Sequence, residues 1–154
     1  MKKIITILLL SIGLVQAEEA SAKVVYDLTT KNLAAFERKI LKAIVANKAY
    51  YESKFKELDV TVVIHGGAYR YFTVDPSKTE YKTDKALLAD YTNLKKRIRS
   101  MSDTYDVEFL MCGAGMNKHD LKAKEIVNFV KIIPNSTIGL IDRQNEGYAY
   151  IPVR

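Results

Sequence analysis

The sequence predicts a single three-layer α/β domain: a mainly parallel sheet of about five strands with helices on both faces. Short apolar runs typical of buried strands alternate with longer segments whose apolar residues recur every three or four positions. This alternation favours parallel strands joined by crossover helices. The 154 residues contain no internal repeat or low-complexity stretch, which indicates one domain with one core.

The chain begins with a segment typical of a secretory signal peptide. Basic Met1-Lys2-Lys3 precedes a mostly apolar run from Ile4 to Val15, and Val15-Gln16-Ala17 supplies the small residues that a signal peptidase reads. The apolar run is shorter than the ~20 residues of a membrane-spanning helix. We therefore expect removal of residues 1–17, a short linker over residues 18–22 and a domain over residues 23–154. The periplasm is the expected location, with full secretion as the alternative.

The charge pattern argues against nucleic acid as a partner. The formal net charge of +6 falls by two when Lys2 and Lys3 leave with the signal peptide. The remaining lysines alternate with acidic residues, and the chain has no stripe of arginine and aromatic residues. We therefore expect no nucleic-acid binding, and no stable membrane anchor after cleavage.

The first half of the domain contains two predicted strands. Lys23 to Leu28 forms the first, and the helix after it presents an apolar face. A polar stretch at Asn47-Lys48 predicts a break in that helix, followed by a second helical piece over residues 50–58. Val60 to Ile64 forms the second strand. The residues of the apolar helix face are Leu33, Phe36, Ile40, Leu41, Ile44 and Val45.

The second half is expected to contain three further strands. Residues 69–83 lack periodicity and predict a surface loop, a candidate flap over the site. Asp84 is expected to cap a helix, and residues 107–112 form the third strand. A helix beginning near Asn117 is predicted to turn Ala123, Ile126, Val127 and Val130 inward. The remaining predicted elements are a strand at 131–133, a helix over 137–145 that Gly147 ends, and a strand at 148–152.

Cys112 is the only cysteine of the chain. Exported proteins usually pair their cysteines, so a single one indicates a reactive thiol or an intermolecular bond. Gly113 and Gly115 are expected to leave the thiol uncovered. Asn117 is expected to cap the following helix, whose dipole, together with Lys118, would lower the pKa of the thiol. The alternative is a small buried residue that ends a strand.

Several polar residues follow predicted strands directly. Asp27-Leu28, His65-Gly66 and Cys112-Gly113 all lie at strand carboxyl ends, where parallel sheets form their binding crevices. Cys112 and His65 could form a thiolate–imidazole pair, although a histidine there can also simply bond local backbone. The two histidines and one cysteine match no zinc pattern. Gly113-Ala114-Gly115 lacks the third glycine of a dinucleotide loop, so neither metal nor cofactor is expected.

Several stretches resemble the DsrE/DsrF-like sulfur-relay family, and in particular its exported members. They are the cysteine loop from Val107 to Met116, His65-Gly66, Ile132-Ile133-Pro134 and the closing segment from Leu140 to Ile151. The resemblance covers essentially the whole mature chain. It implies a small three-layer α/β fold, a homo-oligomer, and a persulfide carried on Cys112 in exchange with a sulfur donor or acceptor protein.

The sequence thus supports two functions. The first is a periplasmic sulfur-relay-type protein that carries sulfane sulfur as a persulfide on Cys112. The alternative is a non-catalytic small-ligand-binding or oligomeric assembly module whose cysteine is structural. The tyrosines could supply an assembly surface or cover the domain's own core; they are Tyr69, Tyr71, Tyr81, Tyr148 and Tyr150. The residues expected at the rim of the crevice are His65, Gly66, Gly113, Gly115, Asn117 and Lys118.

Overall fold

Five parallel strands form one sheet in the computed structural model, which describes residues 21–154. The predicted signal peptide and its cleavage site lie outside these residues. The strand order is β4-β3-β2-β1-β5, and every neighbouring pair is parallel, which confirms the predicted fold class. The strands are β1 (Ala22–Leu28), β2 (Leu58–Ile64), β3 (Val107–Cys112), β4 (Val130–Ile133) and β5 (Ala149–Val153).

Helices connect consecutive strands. Within the described part of the chain, none of them has the length and apolarity needed to cross a membrane. The α-helices are α1 (Leu33–Phe36), α2 (Ala43–Glu52), α3 (Lys85–Leu88), α4 (Tyr91–Asp103), α5 (Gly113–Met116) and α6 (Ser136–Asn145). A π-helical segment (Glu37–Lys42) joins α1 to α2, and 3₁₀ helices lie at Gly66–Phe72, Pro76–Lys78, Glu80–Thr83, Asn117–His119 and Ala123–Glu125.

The two faces of the sheet carry cores of unequal size, because successive strand residues point to opposite sides. The larger core packs alternate strand residues against the segment α1–α2 and against α4, with Phe36, Ile40 and Ile98 fully buried. On the opposite face, a small cluster of Val25, Val63 and Leu110 packs against Leu140 of α6 and its neighbours. Both faces are therefore covered, as an almost continuously apolar strand such as β2 requires.

The first helix runs without a break from Leu33 to Glu52, so the predicted interruption at Asn47-Lys48 is wrong. Both polar side chains find partners beyond the helix. The Asn47 amide donates to the Tyr26 hydroxyl at 3.3 Å, and Lys48 Nζ donates to the Leu58 carbonyl at 2.7 Å. Because the adjacent strands supply hydrogen-bond partners for both side chains, these polar residues do not interrupt the helix.

The first part of the segment 69–83 belongs to the core, so the predicted surface loop is wrong for residues 69–73. Tyr69, Tyr71 and Phe72 are fully buried, and the Tyr71 ring stacks on Phe36 with centroids 4.2 Å apart. Short 3₁₀ turns place aromatic rings inward without helical or strand periodicity, which is why the pattern indicated no regular element. The tyrosines of this segment cover the domain's own core, whereas Tyr150 of β5 is exposed.

The predicted helix from Asn117 to Val130 is also wrong. Asp120 adopts a left-handed conformation that ends the 3₁₀ turn, and Val130 begins β4. Beyond that turn, the backbone of Ile126 and Val127 pairs with the segment before α3 and not with a helical turn of its own. The Val127 N–H donates to the Phe72 carbonyl at 3.0 Å, and Ile126 forms a bridge with Thr73. Ile126 and Val127 are buried as predicted, although no helix presents them.

Candidate functional site

The carboxyl ends of β2 and β3 bring His65 and Cys112 to neighbouring positions. Ile64 and Met111 are register partners, and each immediately precedes one of the two residues. His65 keeps an extended backbone, and its N–H continues the ladder by donating to the Leu28 carbonyl at 3.1 Å. By strand alternation, both residues point to the sheet face that α6 covers.

Cys112 is covered: only 6% of the residue is exposed, so the expectation of an uncovered thiol is wrong. Burial raises the pKa of the thiol. Against burial act the backbone N–H groups of Gly115 and Ser136 and the hydroxyl groups of Tyr69 and Ser136, whose polar interactions with the sulfur lower the pKa. These donors prevail, and the pKa of Cys112 lies below its ordinary value.

Tyr69 lies directly against the cysteine. Its hydroxyl donates to the Cys112 carbonyl at 2.6 Å, and a side chain at Gly115 would overlap that hydroxyl. Burial raises the pKa of Tyr69, and the neighbouring Cys112 raises it further, so the phenol keeps its proton and remains a donor. Glycine is therefore required at position 115 because Tyr69 occupies the space that a side chain would need.

The amino terminus of α6 forms the other wall of the cysteine site. The Asn135 side chain caps this helix by accepting from the Ile138 N–H at 2.9 Å, and this orients the Ser136 N–H and hydroxyl towards the sulfur. The Ala114 N–H donates to the Pro134 carbonyl at 3.0 Å, which fastens the turn before α6 to the cysteine loop. Sequence reasoning missed Ser136, although Pro134-Asn135 is a recognisable helix-start signal.

A buried carboxylate lies next to His65 on the same edge. Asp27 Oδ1 is 2.5 Å from His65 Nε2, and Asp27 Oδ2 accepts from the Tyr150 hydroxyl at 2.6 Å. Arg154 adds an ion pair at 3.0 Å. Burial alone would raise the pKa of Asp27, but the hydrogen bonds from Tyr150 and His65 and the charges of His65 and Arg154 lower it below the usual range. Because Nε2 of His65 contacts Asp27, its Nδ1 is the ring nitrogen available to other groups.

Gly66 adjoins His65 at this edge of the sheet, whereas Asn117 and Lys118 lie in the turn after α5. Cys112 itself occupies the cap position of α5, so Asn117 does not begin that helix, and among residues 21–154 neither Asn117 nor Lys118 bonds to the cysteine. Gly66 adopts a positive φ of 57°, and its nearest neighbour is Thr29. It therefore serves the chain reversal after β2.

Gly113 lies at the site as predicted. An added Cβ at this position would approach the Ile133 carbonyl oxygen to 3.0 Å, so the cysteine loop packs closely against the end of β4. Within residues 21–154, no three side chains of His, Cys, Asp or Glu are grouped in a way that could hold a metal ion. The site offers the chemistry of a stabilised thiolate, with a carboxylate-bound imidazole on the neighbouring strand.

Comparison with known proteins identifies the family and the fold. The model of the DsrE/DsrF-like family matches residues 23–153. An uncharacterized protein of Aquifex aeolicus (strain VF5) is 34% identical over 59 residues, which are 38% of this chain and 26% of that protein's length. A solved structure of a protein of unknown function from Methanobacterium thermoautotrophicum superposes with a TM-score of 0.59 and 16% identity, over 86% of this chain and 99% of the other. That structural likeness concerns the fold alone.

Proposed function

The chain belongs to the DsrE/DsrF-like family, and from that premise we propose that it is a sulfur-relay-type protein that carries sulfane sulfur as a persulfide on Cys112. The observation that carries this proposal is the polar surroundings of the Cys112 sulfur, where Gly115 and Ser136 contribute backbone N–H groups and Tyr69 and Ser136 contribute hydroxyls that lower the pKa of the thiol. Donors arranged in this way stabilise a thiolate, and the thiolate is the form that attacks another sulfur.

The transfer is a sulfur-for-sulfur exchange without net oxidation. The Cys112 thiolate attacks the terminal sulfur of a donor persulfide, R–S–SH. The donor's S–S bond breaks as the new bond to Cys112 Sγ forms, and the donor leaves as the thiolate RS⁻. In the unloading step, an acceptor thiolate attacks the terminal sulfur, and Cys112 departs as a thiolate that the same four donors stabilise.

His65 is suited to proton exchange in both steps. Its Nε2 is occupied by Asp27, and its Nδ1 carries no hydrogen bond to any residue from 21 to 154. An imidazole held by a buried carboxylate is oriented for transfer to and from a sulfur leaving group. We therefore assign His65 the role of protonating the departing donor thiolate, with Asp27 as its positioning residue.

The remaining parts of the proposal concern location and partners. The signal-like segment at residues 1–17 favours the periplasm, with secretion as the alternative. The partners that the chemistry requires are a protein or small-molecule donor of sulfane sulfur and a thiol acceptor. A homo-oligomer is proposed from the family resemblance.

The burial of Cys112 favours a second candidate, a non-catalytic binding or assembly module. Because only 6% of Cys112 is exposed, a sulfur donor has little access to its thiol. Under this alternative the cysteine is structural, and the same polar contacts fasten β3 to the start of α6.

Persulfide loading distinguishes the two functions. Mature protein is incubated with glutathione persulfide, freed of small molecules and weighed intact by mass spectrometry. The relay proposal predicts the added mass of one sulfur atom in the native protein and none in Cys112→Ser. It also predicts slower loading in His65→Asn, whereas Asp103→Asn, at an exposed position on α4, should load at the normal rate. Absence of sulfur from the native protein, with loading after unfolding, would support the assembly module.

A further inference from the structure

A groove of about 630 Å³ lies away from the cysteine site, on the sheet face opposite α6. One wall is the exposed side of α4, and the other is the irregular segment between α5 and β4. Its size falls within the ~300–1,000 Å³ typical of small-molecule sites. The residues that line it are Val74, Lys95, Lys96, Arg99, Ala123, Lys124, Ile126, Val127, Asn128 and Phe129.

The floor of the groove is apolar and fixed by the core. Ile126 and Val127 are buried and belong to the main hydrophobic cluster, against which Phe129 packs. The Phe129 ring also contacts Phe109 of β3 edge-on, with centroids 6.0 Å apart. Because these side chains are anchored from below, the apolar surface persists without a ligand. Water over such a floor is displaced favourably by an apolar chain.

The charged residues at the rim of the groove are all basic. Four of the ten lining residues are lysine or arginine, and none is acidic. Two of the cations are already engaged. Arg99 pairs with Asp103 at 2.6 Å, donates to Asn128 Oδ1 at 2.9 Å and lies over the Phe129 ring, and Lys95 Nζ donates to the Val74 carbonyl at 3.1 Å. Within residues 21–154, Lys96 and Lys124 form no ion pair. They come from the two opposite walls, so an anion between them would face both charges.

From this combination we infer that the groove binds an amphipathic anion, namely a molecule with an unbranched apolar chain and a carboxylate or sulfonate head. The chain lies on Val74, Ile126 and Val127, and the head is bound between Lys96 and Lys124. No residue that lines the groove is acidic, so nothing in the lining repels the anionic head. The volume of the groove is that of a small-molecule site, which favours such a ligand over an acidic protein segment. This inference is independent of the role proposed for Cys112.

Calorimetric titration with decanoate, below its micelle concentration and at low salt, tests the inference. Two control ligands separate the contributions: acetate has the charge without the chain, and decyl maltoside has the chain without the charge. Decanoate should bind one per chain and more tightly than either control, and its affinity should fall as salt rises. The double variant Lys96→Glu/Lys124→Glu should lose at least about tenfold in affinity.

A control variant with the same change in net charge tests whether any loss of decanoate affinity is a general electrostatic effect. Lys39→Glu/Lys85→Glu alters the net charge equally at exposed positions outside the groove, and it should bind decanoate like the wild type within about twofold, because distant surface charges are screened. Equal loss in both double variants would overturn the inference, as would decanoate binding no better than decyl maltoside. Preferential binding of an acidic amphipathic peptide, or light scattering in which only Lys96→Glu/Lys124→Glu becomes monomeric, would also overturn it.

Discussion

At the level of single residues, the state of Cys112 depends on a balance between burial and donated hydrogen bonds. Burial disfavours the thiolate, and the groups that oppose burial are two backbone N–H groups and two hydroxyls. The backbone donors are fixed by the loop and by the start of α6. The Tyr69 hydroxyl, in contrast, can be removed without altering the backbone, so it offers the cleanest way to shift the balance.

Tyr69→Phe should raise the pKa of Cys112 and reduce stability. The variant removes a hydroxyl that lowers the pKa of the thiol and leaves the buried Cys112 carbonyl without its partner, a loss of about 1–3 kcal/mol in the free energy of unfolding. Urea unfolding and thiolate absorbance against pH measure the two effects. Tyr71→Phe is the matched control, because the Tyr71 hydroxyl is buried without a hydrogen-bond partner within the described residues and its removal should be nearly neutral. Equal effects in the two variants would contradict this account.

The sequence distinguishes Cys112 as its only cysteine, but it did not indicate that Tyr69 and Ser136 contribute to lowering the pKa of the thiol. The sequence pattern indicated Asn117 and Lys118, because a polar residue before an apolar run usually begins a helix. The structure begins α5 at Gly113 and supplies donors from Tyr69 and Ser136, which are 43 residues before and 24 residues after the cysteine. Contacts that distant along the chain leave no local signal.

At the level of elements, Asp27 joins three parts of the sheet edge. It lies one residue before the end of β1, bonds His65 beyond β2 and accepts from Tyr150 of β5. Its pKa is lower in the folded chain than in the unfolded one, where it is ~3.9. The stabilisation is therefore fully present above the unfolded pKa and is lost as the pH falls from there through the folded pKa.

Asp27→Asn should weaken the protein at neutral pH and flatten its acid sensitivity. Loss of the charged acceptor is expected to cost roughly 1–3 kcal/mol at pH 7, and the difference from the wild type should shrink as the pH falls below about 4. Urea unfolding at a series of pH values measures both effects. Asp103→Asn changes an exposed pair on α4 and should have a much smaller effect. If the difference between Asp27→Asn and wild type were constant from pH 7 to pH 3, the linkage would be disproved.

The strands and the helix that Asp84 caps were predictable from the sequence, because their apolar patterns are long and regular. Asp84 does cap α3, accepting from the Leu87 N–H at 3.1 Å. The failures fall where short turns replace regular elements, at residues 69–73 and 117–130. There, tertiary hydrogen bonds such as that from Val127 to Phe72 satisfy the backbone, so periodicity carries no information.

At the scale of the whole molecule, the sheet faces differ in how fully they are covered. The face under α6 has only a small buried cluster, and α6 itself exposes Ile138 and Ile141, at 42% and 50%. These isoleucines are three positions apart and so share one side of the helix. Apolar surface of this kind is suited to contact with another chain.

Self-association should therefore depend on α6. We expect light scattering of the mature protein to give a mass above that of the monomer, and Ile141→Lys to lower it, because a charge in an apolar contact is costly to bury. Tyr50→Lys provides the control: Tyr50 is 60% exposed on α2, and its substitution should leave the mass unchanged. A monomeric wild type at high concentration would rule out the assembly.

The central claim is that Cys112 is a stabilised thiolate, and titration of that thiol tests it most directly. Thiolate absorbance is followed against pH in the mature protein, with Cys112→Ser as the blank and the alkylation rate of the native protein as a second readout. The account predicts a midpoint below the ~8.5 of a free cysteine and alkylation without unfolding. A midpoint at or above that value, with alkylation only after denaturation, would contradict it and leave Cys112 as a packing residue.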